Sequence, residues 1–244
     1  MSGEPAQKVP AHAGGDDLDR LLAWGRALRP HRVLDVATGA GHTALAFAAL
    51  DARVIAFDFS EPMLRTAREF LTSRGAERVR YVAGDVEALP FCPGTFDVVT
   101  CRIAAHHFAN VGPAVRQIAA VVRPGGSFLV QDILGHDDGQ AAAFITEVER
   151  RRDPSHVRAY RAVEWKALLR GAGLTVIDEA IVPHGRPWDD WTKRTRMTPD
   201  ARTALEAFVR TAAATCREAF DFRFNGDRIE SFTDRMILLR ADRD

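Results

Sequence analysis

The chain has 244 residues, 46% of them hydrophobic, enough for one substantial core with a small appended element and too few for two equal domains. Lysine plus arginine and aspartate plus glutamate balance at 33 each, a formal net charge of zero, so no excess positive field recommends a nucleic-acid partner. Cys92, Cys101 and Cys216 are scattered without disulfide-framework or metal-ligand spacing, and no apolar run approaches the roughly 20 residues a bilayer demands, which points to the cytoplasm and to no membrane partner.

Residues 1–15 are rich in Gly, Pro and Ala, lack the apolar core of a signal peptide, and read as a disordered tail before a single domain over residues 16–244. Leu18, Leu21, Leu22, Trp24 and Leu28 recur at helical spacing over residues 16–28, and Pro30 stops that helix before a first strand at residues 32–36. The strand breaks into Gly39-Ala-Gly41 and then a helix over residues 43–50; a second strand covers residues 54–58. Ser60-Glu-Pro-Met-Leu is a capped helix start with proline early, where its missing N–H costs nothing, and that helix runs to about residue 73, ending at Gly75. Strands follow at residues 78–83, 96–101 and 127–131, with a helix over residues 111–122 closed by Pro124-Gly-Gly. Such regular alternation demands a parallel sheet with helices on both faces.

The second half is less regular. A helix at residues 140–151 leads into R-D-P-S-H-V-R at residues 152–158 and a short helix carrying Trp165, Leu168 and Leu169 that Gly171 ends. Residues 174–182 and 236–239 read as the last two strands. Between them, residues 184–232 hold Pro187-Trp-Asp-Asp-Trp191 and one long helix over residues 199–219, an insertion too long for a hairpin loop. It reads as a helical lid over a ligand pocket; the other reading is surface packing or a contact in a homodimer.

Three carboxylates stand where strands run out. Asp35 lies in V-L-D-V-A-T-G-A-G-H-T (residues 33–43), Asp58 closes V-I-A-F-D (residues 54–58), and Asp85 sits in V-A-G-D-V (residues 82–86). A glycine turn between strand and helix lets backbone approach a ligand and aims helix N-terminal amides at it. About 20 residues later a carboxylate at Asp58 suits ribose hydroxyls. Gly39-Ala-Gly41-His-Thr-Ala44 also fits the dinucleotide pattern G-x-G-x-x-A, so an NAD(P)-linked oxidoreductase is a rival. Asp35 weighs against it, because a fixed anion there repels a pyrophosphate but suits the α-ammonium of a methionine moiety or the backbone that holds it. Asp85 can accept from an adenine amine. Together these acids point to S-adenosylmethionine.

At this point the chain resembles the class I S-adenosylmethionine-dependent methyltransferases, and within them the ubiquinone/menaquinone C-methyltransferase-like group. The resemblance rests on the three segments above extended to V-I-A-F-D-F-S-E-P-M-L (residues 54–64) and V-A-G-D-V-E-A-L-P-F (residues 82–91), with F-D-V-V-T-C-R-I-A-A-H-H-F (residues 96–108) and V-R-P-G-G-S-F-L-V (residues 122–130). It implies a doubly wound, Rossmann-like α/β fold with a seven-stranded, mostly parallel sheet in the order 3-2-1-4-5-7-6, the last strand antiparallel. It implies cofactor contacts at Thr43, Asp58, Phe59, Asp85 and Val86, with Gly39 and Gly41 forming the loop, Asp35 beneath it, Met63 over the adenine and Arg102 against the cofactor. Ala37 stands where many members have the first glycine, and ordinary backbone angles are expected for it. The implied activity is methyl transfer to carbon or oxygen of a small-molecule acceptor; a cofactor-binding protein of this fold with a non-methylating role is the alternative.

Methyl transfer mainly requires alignment and exclusion of water, and a base helps when the acceptor must lose a proton. His106 and His107 follow the fourth strand and His156 lies in R-D-P-S-H-V-R; these are the catalytic candidates, each also readable as a local brace, with Asp153 or Ser155 capping the next helix. His42 reads as a positioning residue, and His12, His31, His136 and His184 as surface or loop residues. Trp188 and Trp191, three apart, either floor an aromatic acceptor site or simply pack.

Overall fold

The computed structural model describes residues 16–244, so the expected tail over residues 1–15, with His12, lies outside the described residues. Five strands run parallel and side by side: β3 (Val79–Ala83), β2 (Arg53–Asp58), β1 (Arg32–Val36), β4 (Phe96–Arg102) and β5 (Val122–Ile133). The sheet continues antiparallel through β8 (Arg228–Arg243) to the edge strand β6 (Leu174–Pro187). A short β7 (Arg223–Asn225) pairs with β8 and makes the sheet eight-stranded, so the order β3-β2-β1-β4-β5-β8-β6 is the expected one with one strand more.

Successive strand residues go to opposite faces, and both faces are covered. Val33, Val54, Val98 and Leu129 pack with Leu21 and Trp24 of α1 (Asp16–Leu28), Ala44 and Phe47 of α2 (His42–Ala48), and Ala67 and Leu71 of α3 (Glu61–Ser73). Leu34, Val36, Val99 and Val130 pack with Val115 and Ile118 of α4 (Val111–Val121) and Trp165 and Leu169 of α6 (Ala162–Gly171). α3 begins as its sequence indicates: the Ser60 hydroxyl accepts from the Met63 N–H, and Pro62 lies in the first turn.

Two elements depart from expectation. The last two strands are much longer than residues 174–182 and 236–239, because β6 and β8 stay paired past the end of β5, from Pro183 opposite Arg235 to Pro187 opposite Ser231. The insertion therefore begins after Pro187, and His184 belongs to a strand rather than a loop. The single helix expected at residues 199–219 is two, α8 (Pro199–Thr211) and α9 (Ala214–Ala219), with extended backbone at Ala212 and Ala213 between them. That break turns Cys216 and Phe220 back toward α5 (Gly139–Arg152).

The result is a third core at the end of the long ribbon. Phe144, Ile145 and Val148 of α5 meet Trp188 and Trp191 of α7 (Trp188–Lys193), Leu205 and Val209 of α8, and Phe222, Ile229 and Phe232. Both tryptophans are fully buried there, and the Trp188 indole N–H donates to Glu206 at 2.8 Å, so the packing reading of this pair is the one realised. We expect Phe232→Ala to lower the unfolding free energy by about 3–5 kcal/mol in urea denaturation. Exposed Ile181→Ala on β6 should change it by no more than about 0.5 kcal/mol.

Candidate functional site

The carboxyl ends of the parallel strands carry the chemistry. Asp35 is next to last in β1, Asp58 ends β2, Asp85 lies two residues beyond β3, and Arg102 ends β4. The loop from β1 into α2 folds tightly: the Thr38 N–H donates to Phe57 O at 3.0 Å and the Gly41 N–H to Thr38 O at 2.9 Å. Gly41, at φ +88°, lies so close to α3 that a Cβ would sit 3.0 Å from the Leu71 side chain. Ala37, expected with ordinary angles, has φ 52°, in the left-handed region. The chain must reverse immediately after Val36 for Thr38 to reach both Phe57 and Asp35, and a residue with a Cβ accepts that conformation at a cost of roughly 1–2 kcal/mol.

Two carboxylates hold the loop. Asp35, 1% exposed, accepts from the Thr38 hydroxyl at 2.6 Å and the Thr100 hydroxyl at 2.7 Å, so its oxygens are engaged by the chain itself. Its geometry matches support of the backbone rather than direct contact with an ammonium group. Burial pushes its carboxyl up to about 6, against the pull of both hydroxyls and the Arg102 charge. Asp58 accepts from the Gly39 N–H at 2.9 Å through one oxygen and from the Ser60 N–H at 2.8 Å through the other. Each of those oxygens keeps a further lone pair.

Around them stand the other expected residues. Met63 reaches back over the loop, its terminal methyl 4.0 Å from where a Gly39 Cβ would be. Phe59 is 82% exposed, Val86 is buried, and Thr43 is buried in the first turn of α2. One Asp85 oxygen accepts from the Glu87 N–H at 2.8 Å, which leaves the other without a partner among the described residues. The Arg102 charge acts on both Asp35 and His42, and His42, edge-on to Phe70 at 4.7 Å, is held below its ordinary value by burial and by Arg102. The rim thus offers carboxylate acceptors to hydroxyl and amine donors, above a loop of backbone amides.

The three candidate histidines converge. His106 and His107 occupy a short turn after β4, and His156 comes over from the segment between α5 and α6. Ring centroids lie 4.1 Å apart for His106 and His107, 5.3 Å for His106 and His156, and 6.3 Å for His107 and His156. The His106 carbonyl accepts from the Val157 and Arg158 N–H groups, which clamps R-D-P-S-H-V-R onto the turn. Neither Asp153 nor Ser155 caps the next helix, which starts at Ala162 and is capped by Glu164 accepting from the Arg161 N–H. Ser155 donates to Asp153 and faces His107 instead.

Sequence reasoning missed Asp132. This buried carboxylate on β5 contacts His106 Nδ1 at 2.5 Å and accepts from the His106 N–H at 2.9 Å. An acid at a strand's carboxyl end was the available signal, the same one that marks Asp35, Asp58 and Asp85. Burial pulls His106 down, but the charge and hydrogen bond of Asp132, with the charge of Glu149, raise it above its ordinary value. Burial, then the neighbouring His106, lowers His107; burial and both neighbours push His156 down to about 3. His31 is exposed before β1, and His136 packs 5.5 Å from Phe220.

Residues 34–130 match the model of a methyltransferase domain. The chain is 36% identical over 231 residues to YcgJ of Bacillus subtilis, an uncharacterized methyltransferase, across 94% of this chain and 91% of that protein. The crystal structure of YcgJ superposes with a TM-score of 0.86 at 34% identity, covering 93% of this chain and 98% of that one. A demethylmenaquinone methyltransferase of Thermus thermophilus is 39% identical over 130 residues, 47% of this chain and 59% of that protein. Among the described residues no helix is long and apolar enough to cross a membrane.

The buried Asp35 makes a pH prediction. Its folded pKa of about 6 exceeds the ordinary 3.8, so the folded state favours the protonated carboxyl; that stabilisation is complete at low pH and is lost as pH rises through about 6. The loss amounts to about 3 kcal/mol. Asp35→Asn, which carries no such charge, should therefore gain stability relative to the wild type as denaturation is followed from pH 4 to pH 8, and a constant difference would contradict the assignment.

Proposed function

Since the chain belongs to the methyltransferase family that includes the ubiquinone/menaquinone C-methyltransferase-like enzymes, we propose that it uses S-adenosylmethionine to methylate carbon or oxygen of a small-molecule acceptor. The observation that carries this reading is the join between Asp58 and Gly39: one carboxylate at the tip of β2 holds the glycine loop and still has lone pairs for a ribose. When bound, the cofactor supplies an electrophilic methyl group on a sulfonium.

The residues present fit such a ligand. Asp58 accepts the ribose hydroxyls, and the free oxygen of Asp85 accepts the adenine amine. Met63, Phe59 and Val86 give the adenine apolar surroundings. Gly39 and Gly41, whose N–H groups are held by Asp58 and Thr38, let the backbone approach the methionine moiety closely, Thr43 adds a hydroxyl, Asp35 supports that loop and Arg102 lies against the cofactor. A dinucleotide would instead set its pyrophosphate beside Asp35, which disfavours the oxidoreductase alternative.

Alignment of an acceptor at this rim can lower the barrier by about 7–11 kcal/mol. The histidine cluster offers a base, typically a further factor of roughly 10²–10⁴. The helices α7–α9 serve as a lid on the acceptor side and are tied to α5, whose Glu149 charge reaches His106: Arg152, which ion-pairs with Glu149 at 3.2 Å, also stacks on Trp191 with its guanidinium 4.6 Å from the ring. The balanced net charge supports a small acceptor rather than a nucleic acid.

Calorimetric titration of the purified chain with S-adenosylmethionine tests the reading. One site is expected, weakened roughly 10- to 100-fold in Asp58→Ala through loss of charge-assisted hydrogen bonds. No binding by the wild type, or equal binding by the variant, would overturn it. Formation of S-adenosylhomocysteine on adding acceptors separates transfer from a role in which the cofactor keeps its methyl group.

A further inference from the structure

The three histidines are not equivalent, and their hydrogen bonds distinguish them. His106 Nδ1 is bound to Asp132 in a buried pair, its side chain 7% exposed, so this ring, although it too has a lone pair on Nε2 when neutral, is closed off from an incoming acceptor. His156 has two imidazoles beside it and is a weak base. His107 is half-buried, and its Nδ1 lies 3.0 Å from the Ser155 hydroxyl.

The direction of that last hydrogen bond follows from counting protons. The Ser155 hydroxyl has one hydrogen, and its oxygen lies 2.6 Å from Asp153 Oδ1. Burial would raise the Asp153 carboxyl, but two hydrogen bonds from Ser155 and the charges of His107 and Arg152 hold it below its ordinary value, so it is an ionised acceptor. A carboxylate donates nothing, and Ser155 therefore gives its proton to Asp153. The hydroxyl oxygen is left to accept, so His107 must donate through Nδ1–H. A neutral imidazole protonated at Nδ1 bears its lone pair on Nε2.

We propose that His107 Nε2 is the proton acceptor for methyl transfer, and that Ser155 and Asp153 are positioning residues that fix its tautomer. The inference rests on the methyltransferase reading and deepens it, since it selects acceptors whose nucleophile is an acidic O–H or C–H group. With the donor bound, the acceptor's X–H bond would break, the proton bonding to His107 Nε2 and the electron pair staying on the acceptor atom to form the new bond to the methyl carbon, while the methyl–sulfur bond would break with its pair going to sulfur, so that the neutral thioether S-adenosylhomocysteine leaves. The resulting imidazolium still donates through Nδ1 to Ser155, with the Asp153 charge behind it. The charged or titratable groups facing His107 are His106, His156, Asp153 and Asp132; the two carboxylates favour its protonated form and the His106 charge opposes it, whereas His156, pushed down to about 3, is neutral there.

Two-bond ¹H–¹⁵N NMR of the full chain with ¹⁵N-histidine reads the tautomer directly, the His107 signals being assigned by their loss in His107→Gln. In the wild type the Nδ1–H form should exceed the Nε2–H form by about tenfold, as expected for one net hydrogen bond. In Ser155→Ala the ratio should fall to parity or below and the titration midpoint of His107 should drop, while Ser155→Thr restores both. An Nε2–H wild type, or an unchanged ratio in Ser155→Ala, would overturn the assignment. Calorimetry with S-adenosylmethionine on the same samples keeps the two readings apart. Binding with the wrong tautomer sinks this inference alone, whereas no binding with the expected tautomer sinks the methyl-transfer reading and the source of the proton with it.

Discussion

The carboxylate of Asp58 lies between two backbone amides, Gly39 on one side and Ser60 on the other. Through it the end of β2, the loop after β1 and the start of α3 become one rigid unit. Gly41 completes the arrangement by letting the loop approach the Leu71 side chain. Asp35 acts from beneath, tying Thr38 to Thr100 across β1 and β4. Preorganisation of this kind removes a cost from ligand binding, because amides and carboxylates need not be ordered when the ligand arrives.

The histidine cluster depends on a different constraint, the packing of buried charges. Asp132 holds His106, the Arg186–Asp234 pair lies buried on the ribbon of β6 and β8, and Glu149 with Arg152 joins α5 to the chain around Trp191. Both Glu149 and Arg186 influence His106. Charges bordering the third core thus reach the histidines at the sheet's rim. Charges buried this way are costly to leave unpaired, so each has its partner in place.

The first half was legible because its signals are local. Strand runs end in acids, glycines mark the tight loop, and Ser60 with Pro62 marks a helix start. The second half hid its strands: Pro183, Gly185 and Pro187 look like breakers, yet β6 is an edge strand where proline is tolerated. The break between α8 and α9 carries no glycine or proline to announce it. Ala37 concealed its left-handed conformation because the strain comes from tertiary reach. Asp132 escaped notice because β5 outlasts the apolar run that was read as its end, and the meeting of His156 with His106 and His107 joins residues some fifty positions apart, which no local pattern records.

The most direct test is ¹H–¹⁵N NMR of the whole chain titrated with S-adenosylmethionine and, separately, with NAD⁺. The account predicts saturable shifts at the Gly39, Gly41 and Ser60 amides with the first ligand and none with the second. Silent amides with S-adenosylmethionine, or the same response to NAD⁺, would contradict it.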